Sequence, residues 1–132
     1  MKKVKWLIYT VAIGLVPFLA RFFVYMFTNS LTASYLLNEI DIIAFGLALH
    51  VANINELTEN YIGDEKGKVT NLGICLFMII IYGIILGISY IADLDQKGST
   101  FNHLNIKICS LVLSAISLVY SYSLTDNTKN AQ

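Results

Sequence analysis

The sequence predicts an all-α polytopic membrane protein with four transmembrane helices, both termini cytoplasmic, and a single domain over residues 1–132. Three observations carry this expectation. The 132 residues are 56% hydrophobic and 14% charged, with one proline and a mean hydropathy of +0.64, far above the apolar share of a soluble domain. Four stretches, at about 4–27, 36–57, 69–92 and 103–124, each reach the roughly 20 predominantly apolar residues that a membrane-spanning helix needs. Lysines fall mostly on one side of that topology: Lys2, Lys3, Lys5, Lys66, Lys68 and Lys129 flank the termini and the middle connection, against Lys97 and Lys107 opposite. Aromatic residues agree, with Trp6, Tyr9, Tyr61, Tyr120 and Tyr122 at the inner interface and Tyr25, Tyr35 and Tyr90 at the outer one.

The first segment follows a lysine-rich start but is too long for an ordinary signal-peptide core, so it reads as a true first helix. It contains Arg21. A cation at membrane depth costs at least about 2.5 kcal/mol and persists only beside a partner or water. Thr10, Gly14, Pro17, Arg21 and Thr28 recur at helical spacing and form one small, polar stripe that should face protein. Pro17 leaves the carbonyl of Ile13 without its helical donor, which predicts a kink near the bilayer centre.

The second segment is interrupted by Glu39, Asp41, His50, Asn53, Asn55 and Glu56, and a re-entrant or interfacial segment is its competing reading. Counting outward from the middle of the first connection places Arg21 level with about residue 42, so Asp41 and Glu39 lie at its depth. At roughly 100° per residue those two acids point to nearly opposite sides. Arg21 can therefore pair closely with only one of them inside a monomer, and the other is expected to face another subunit. The polar positions continue as two stripes, Asp41, Ala48, Ala52, Asn55 and Glu59 on one side and Glu39, Gly46, His50, Asn53 and Leu57 on the other. Ile40, Ile43, Leu47, Val51 and Ile54 remain for lipid or an apolar neighbour. A helix with two polar faces belongs at the centre of a bundle or between protomers, and a homo-oligomer is expected. His50 suits a neutral hydrogen bond to a neighbouring helix, or a proton relay continued by Glu39, Asn53 and Glu56.

In the third segment Gly83 and Gly87 form a small-xxx-small motif that lets another helix approach closely. Ser110, Ser114, Ser117 and Ser121 make a serine seam in the fourth, suited to hydrogen bonding across a tight helix interface or, alternatively, to lining a polar pore. Gly63 and Gly67 bracket Asp64, Glu65 and Lys66 in the middle connection and suggest a turn. With Lys68, these charges read as a solvated connector or as a docking loop for a cytoplasmic protein partner.

Composition and motifs exclude several functions. Net charge is zero, so no basic field exists to attract nucleic acid. There is no GxSxG elbow, HExxH, phosphate loop or GxGxxG, and Cys75, Cys109, His50 and His103 show no zinc-ligand spacing. The two cysteines lie at depths differing by about a third of the roughly 30 Å hydrocarbon thickness, too far for a disulfide. The sequence accordingly predicts no catalytic residue, metal or cofactor, and no enzyme.

Three function classes fit what remains: a non-enzymatic oligomeric sensor or scaffold that relays an envelope signal to a cytoplasmic partner, a small ion-conducting pore or channel, and a proton-coupled small transporter. The lysine-led short flanks suit a bacterial cytoplasmic membrane. Four spans, both ends inside, almost no soluble mass and a charged inner loop make the chain resemble the small membrane subunits of bacterial phage-defence operons, most similar in layout to the KwaA-like subunits of the Kiwa system. That resemblance covers architecture and no motif, so no site residue is carried over. It implies a membrane oligomer that senses phage attack and works with a cytoplasmic partner acting on phage DNA.

Overall fold

The computed structural model describes residues 2–95 and 100–127, with the side chains of residues 2–4, 6, 7, 34, 126 and 127 outside the description. Lys97 and Lys129, and the side chains of Lys2, Lys3 and Trp6, all used in the topology reading, thus lie outside the described residues. The described chain is helical: α1 spans Lys2–Phe27, α2 Glu39–Asn60, α3 Glu65–Leu94 and α4 His103–Asn127, with a 3₁₀ turn at Ala33–Leu36. Each helix contains a stretch long and apolar enough to cross a membrane: Ile8–Phe27, Glu39–Asn60, Glu65–Leu94 and His103–Thr125. Even α2, whose 22 residues make it the shortest, reaches about 33 Å at 1.5 Å per residue, which matches a hydrocarbon core of roughly 30 Å.

The starts of the second and third helices differ from the expected boundaries by three and four residues. The second segment begins at Glu39 rather than 36. Residues 33–36 form the 3₁₀ turn, and the Asn38 side chain caps α2 by accepting from the Ile40 amide at 2.8 Å. The third begins at Glu65 rather than 69, after an extended Asp64, with Glu65 at the positive end of the helix dipole. Of the expected docking loop, Glu65, Lys66 and Lys68 are therefore helical and only Asp64 belongs to the connection. The fourth opens at His103, where the Asn102 side chain accepts from the amides of Leu104 and Asn105 at 3.0 and 3.4 Å, and it runs on to Asn127.

α2 is the axis of the molecule, packed against α1, α3 and α4, while α3 and α4 touch each other more sparingly and α1 leans almost entirely on α2. Cross-contacts fix the directions. Arg21 meets Asp41 while Gly14 meets Phe45, so α1 and α2 are antiparallel; His50 meets Ser117 and Asn53 meets Ser121, so α2 and α4 are parallel. Two glycines permit the closest approaches. A Cβ on Gly14 would lie 2.6 Å from the Phe45 ring, and one on Gly46 would collide with the ring and hydroxyl of Tyr82.

Of the two occupants expected for the apolar side of α2, lipid or an apolar neighbour, the structure supplies mainly the neighbour. Ile43 is fully buried and only Val51 of that set is well exposed, because three neighbours surround α2 rather than one. In α1 the stripe of Thr10, Gly14, Pro17, Arg21 and Thr28 is turned inward, buried or half-buried, while Ile8, Ile13, Val16, Phe23 and Met26 face outward. α3 and α4 likewise present Phe77, Ile80, Ile84, Val112, Ile116 and Val119 to the surroundings. An apolar belt of this kind suits lipid as solvent and would be a liability in water. Inside, the core is layered along the axis: Leu57, Cys75 and Leu124 form an apolar cluster near the α2–α3 turn, polar groups fill the middle, and charged groups occupy the opposite end.

Candidate functional site

At the end of the bundle opposite the α2–α3 turn, the Arg21 guanidinium Nε donates to Asp41 Oδ2, and the Tyr35 ring lies 4.9 Å from the guanidinium carbon. Arg21 sits six residues, about 9 Å, inside the C-terminal end of α1. Asp41 lies in the first turn of α2, where the helix dipole favours an anion. Both side chains are mostly buried, so the pair acts at low dielectric and ties α1 to α2 at one level.

Glu39 belongs to a different group. It points to the far side of α2, where His103 Nδ1 is 3.3 Å from Oε1 and Lys107 Nζ is 4.0 Å from Oε2. Asp93 Oδ1, from the last turn of α3, lies 4.0 Å from the same His103 nitrogen. The expectation that Glu39 faces another subunit is thereby corrected, because α4 of the same chain occupies that side. The signal was present in the sequence. His103 and Lys107 lie one helical turn apart at the start of the fourth segment, and the depth count that linked Arg21 to Asp41 places them at the level of Glu39.

The middle of the bundle holds a hydrogen-bonded polar core. His50 Nε2 is 2.9 Å from Ser117 Oγ, Ser117 is 2.8 Å from the Tyr82 hydroxyl, and Tyr82 reaches Ser114 at 3.5 Å. Ser114 in turn donates to the Ile42 carbonyl at 2.9 Å. Because that last proton is committed to a carbonyl, the chain has one internally consistent direction: His50 Nε2–H to Ser117, Ser117 to Tyr82, Tyr82 to Ser114. Each hydroxyl then both accepts and donates, and His50 Nδ1, which has no partner, carries a lone pair rather than a stranded proton. One turn further on, Asn53 donates to Ser121 at 2.7 Å, and Tyr120 donates to Asn71 at 2.9 Å. Ser110 donates to its own Ile106 carbonyl. The serine seam is thus buried in full between helices.

This core does not cross the bundle. Its His50 chain ends on a backbone carbonyl of α2, Glu39 is engaged with α4, and Glu56 accepts from Asn60 at an exposed edge beside the exposed Asn55. The relay of Glu39, His50, Asn53 and Glu56 is not assembled among the described residues. Among the described residues, the side-chain atoms Asn53 Oδ1 and Ser89 Oγ, like His50 Nδ1, are buried without a partner. Tyr82 is the residue of this polar core that sequence reasoning missed. It is fully buried within the run FMIIIYGIILG, where its apolar neighbours hide it. A hydroxyl at the centre of a span needs a partner, and that requirement was the available clue.

Among the described residues, Gly83 and Gly87 face no other helix: a Cβ added at either would meet nothing within 4 Å. Cys75 is buried, Cys109 is exposed, and both are free. No protein-family model matches the chain, and neither a curated protein nor a solved structure matches it. The four candidate spans are consistent with a multi-pass membrane protein, and the function has to be argued from the geometry.

Proposed function

We propose that the protein is a non-enzymatic subunit of a bacterial cytoplasmic membrane, both termini inside, that self-associates and serves as a sensor or scaffold relaying an envelope disturbance to a cytoplasmic protein partner. The observation that carries this reading is the division of polar from small residues. The polar side chains at mid-depth are turned inward and bonded to one another, whereas the small-xxx-small pair Gly83 and Gly87 is turned outward on the most apolar helix. Inward, bonded polarity supports a solid scaffold over a water-filled path, since a pore lining needs its hydroxyls free to solvate ions. An outward glycine pair on a lipid-facing helix supports contact between copies. α1, held mainly by α2 and by the Arg21–Asp41 pair, is the element suited to respond to the envelope. The layout shared with phage-defence membrane subunits extends the proposal to phage attack as the disturbance.

The test is to purify the protein in mild detergent, measure its mass by light scattering, reconstitute it in liposomes, and identify co-purifying soluble proteins from native membranes. Oligomers without conductance, and a stoichiometric cytoplasmic partner, are the expected outcome. Single-channel currents from the purified protein, or a strictly monomeric particle with no partner, would overturn it.

A further inference from the structure

Glu39, Asp93 and His103 bring three ligand atoms, one imidazole nitrogen and two carboxylate oxygens, within 4.8 Å of one another. They come from the first turn of α2, the last turn of α3 and the first residue of α4, so three helices separated in sequence converge at one end of the bundle. We propose that this convergence is a binding site for a divalent first-row transition ion, of which Zn2+ is the probe.

Two of the three ligand-atom edges lie near what the ion needs, and the third, between Glu39 and Asp93, is within 4.8 Å. Zinc bonds of about 2.0–2.1 Å in tetrahedral geometry place ligand atoms roughly 3.4 Å apart. The His103–Glu39 edge is 3.3 Å, and the His103–Asp93 edge, at 4.0 Å, needs to close by about half an ångström. The groups that must move are free to do so, since the His103 and Asp93 side chains are 45% and 51% exposed while Glu39, the anchor, is 8% exposed.

The competing arrangement is a plain salt-bridge cluster of His103 with the two acids, without a metal. A dication between the carboxylates would lie at the C-terminal end of α3, which favours a cation, and at the N-terminal ends of α2 and α4, which do not, so the ligand set and not the helix dipoles carries the proposal. Lys107 at 4.0 Å from Glu39 Oε2 offsets one of the two acids without occupying the ligand edges. An imidazole in the ligand set selects transition ions over Mg2+ and Ca2+, which prefer all-oxygen surroundings.

The experiment titrates the full-length protein in detergent with Zn2+, and separately with Mg2+, reading bound metal by mass spectrometry after dialysis and coordination by Co2+ absorption. Asp93→Asn and His103→Ala are the test variants, because both side chains are about half exposed, and the melting temperature of each metal-free variant reports any effect on folding separately from metal binding; Lys107→Ala is the control. The expected result is one Zn2+ per chain, affinity at least about tenfold lower in each test variant, unchanged or tighter binding in Lys107→Ala, and a Zn2+-dependent rise in melting temperature confined to chains with the intact triad. Zinc retention that is the same in wild type and in the double variant Asp93→Asn/His103→Ala would overturn the site, and Mg2+ binding as tightly as Zn2+ would overturn imidazole ligation.

Discussion

A buried charge is expensive alone and tolerable in company, and Arg21 makes that difference measurable. Removing one partner of a buried ion pair costs about 3–5 kcal/mol, because the other charge is left unpaired at low dielectric. Arg21→Ala strands Asp41 and should lower thermal stability in detergent by an amount of that order, with Asp41→Ala similar. The double variant should lose less than the sum of the two, and additive losses would mean that the residues do not interact. Tyr82 poses a gentler test. Its hydroxyl completes the path from Ser117 to Ser114, so Tyr82→Phe keeps the ring against Gly46 while leaving two serines short of a partner. The expected loss is about 1–3 kcal/mol. An unchanged melting temperature would show that the serines satisfy themselves on their own helix carbonyls, as Ser110 does with Ile106.

At the scale of elements, glycines separate helix faces that touch from faces that do not. Gly46 lies under the Tyr82 ring, so Gly46→Leu drives a side chain into an occupied space and should destabilise by about 1–3 kcal/mol or more, with α3 displaced from α2. Gly73 has nothing within 4 Å of an added Cβ, so Gly73→Ala should be neutral or stabilise α3 by up to about 1 kcal/mol through helix propensity. If the two variants melt alike, the packing of α2 on α3 is misassigned. The same contrast explains how much was legible beforehand. The number of helices, the inward stripe of α1 and the level shared by Arg21 and Asp41 follow from apolar length, helical period and rise, all properties of local sequence. Which helix becomes the axis does not follow. α2 has the weakest apolar signal of the four, yet it is central because its small and polar positions let three neighbours approach. Helix starts were misjudged for a related reason: the Asn38 cap sets where α2 begins and α3 opens directly after the extended Asp64, while hydropathy marks only where lipid could lie. The Glu39 cluster was missed because it joins residues 39, 93 and 103, and the comparison of depths was carried across the first hairpin only.

On the scale of the whole molecule, a bundle can hide its polarity inside one chain or share it between chains, and the described polar groups at mid-depth take the former course. Glu39, which seemed to require a second subunit, is answered by His103 and Lys107 of its own chain, so the proposed association would not draw on its charge. What α3 offers a second copy is shape. Gly83 and Gly87, with Ile80 and Ile84 beside them, form a flat outward strip where another helix could come close enough for dispersion contacts along its length. Because a Cβ at either glycine would touch nothing among the described residues, filling the strip should separate assembly from folding. Gly83→Ile with Gly87→Ile should leave the melting temperature of the monomeric fraction unchanged while shifting the particle to lower mass, with a loss of association of at least about tenfold, or 1.4 kcal/mol. The matched control is a double substitution on another outward face, Val112→Ile with Val119→Ile on α4, which should leave the mass unchanged. An oligomer that survives in the glycine variant and dissociates in the α4 variant would place the contact on α4, and relay between copies would then run through the helix that carries His103.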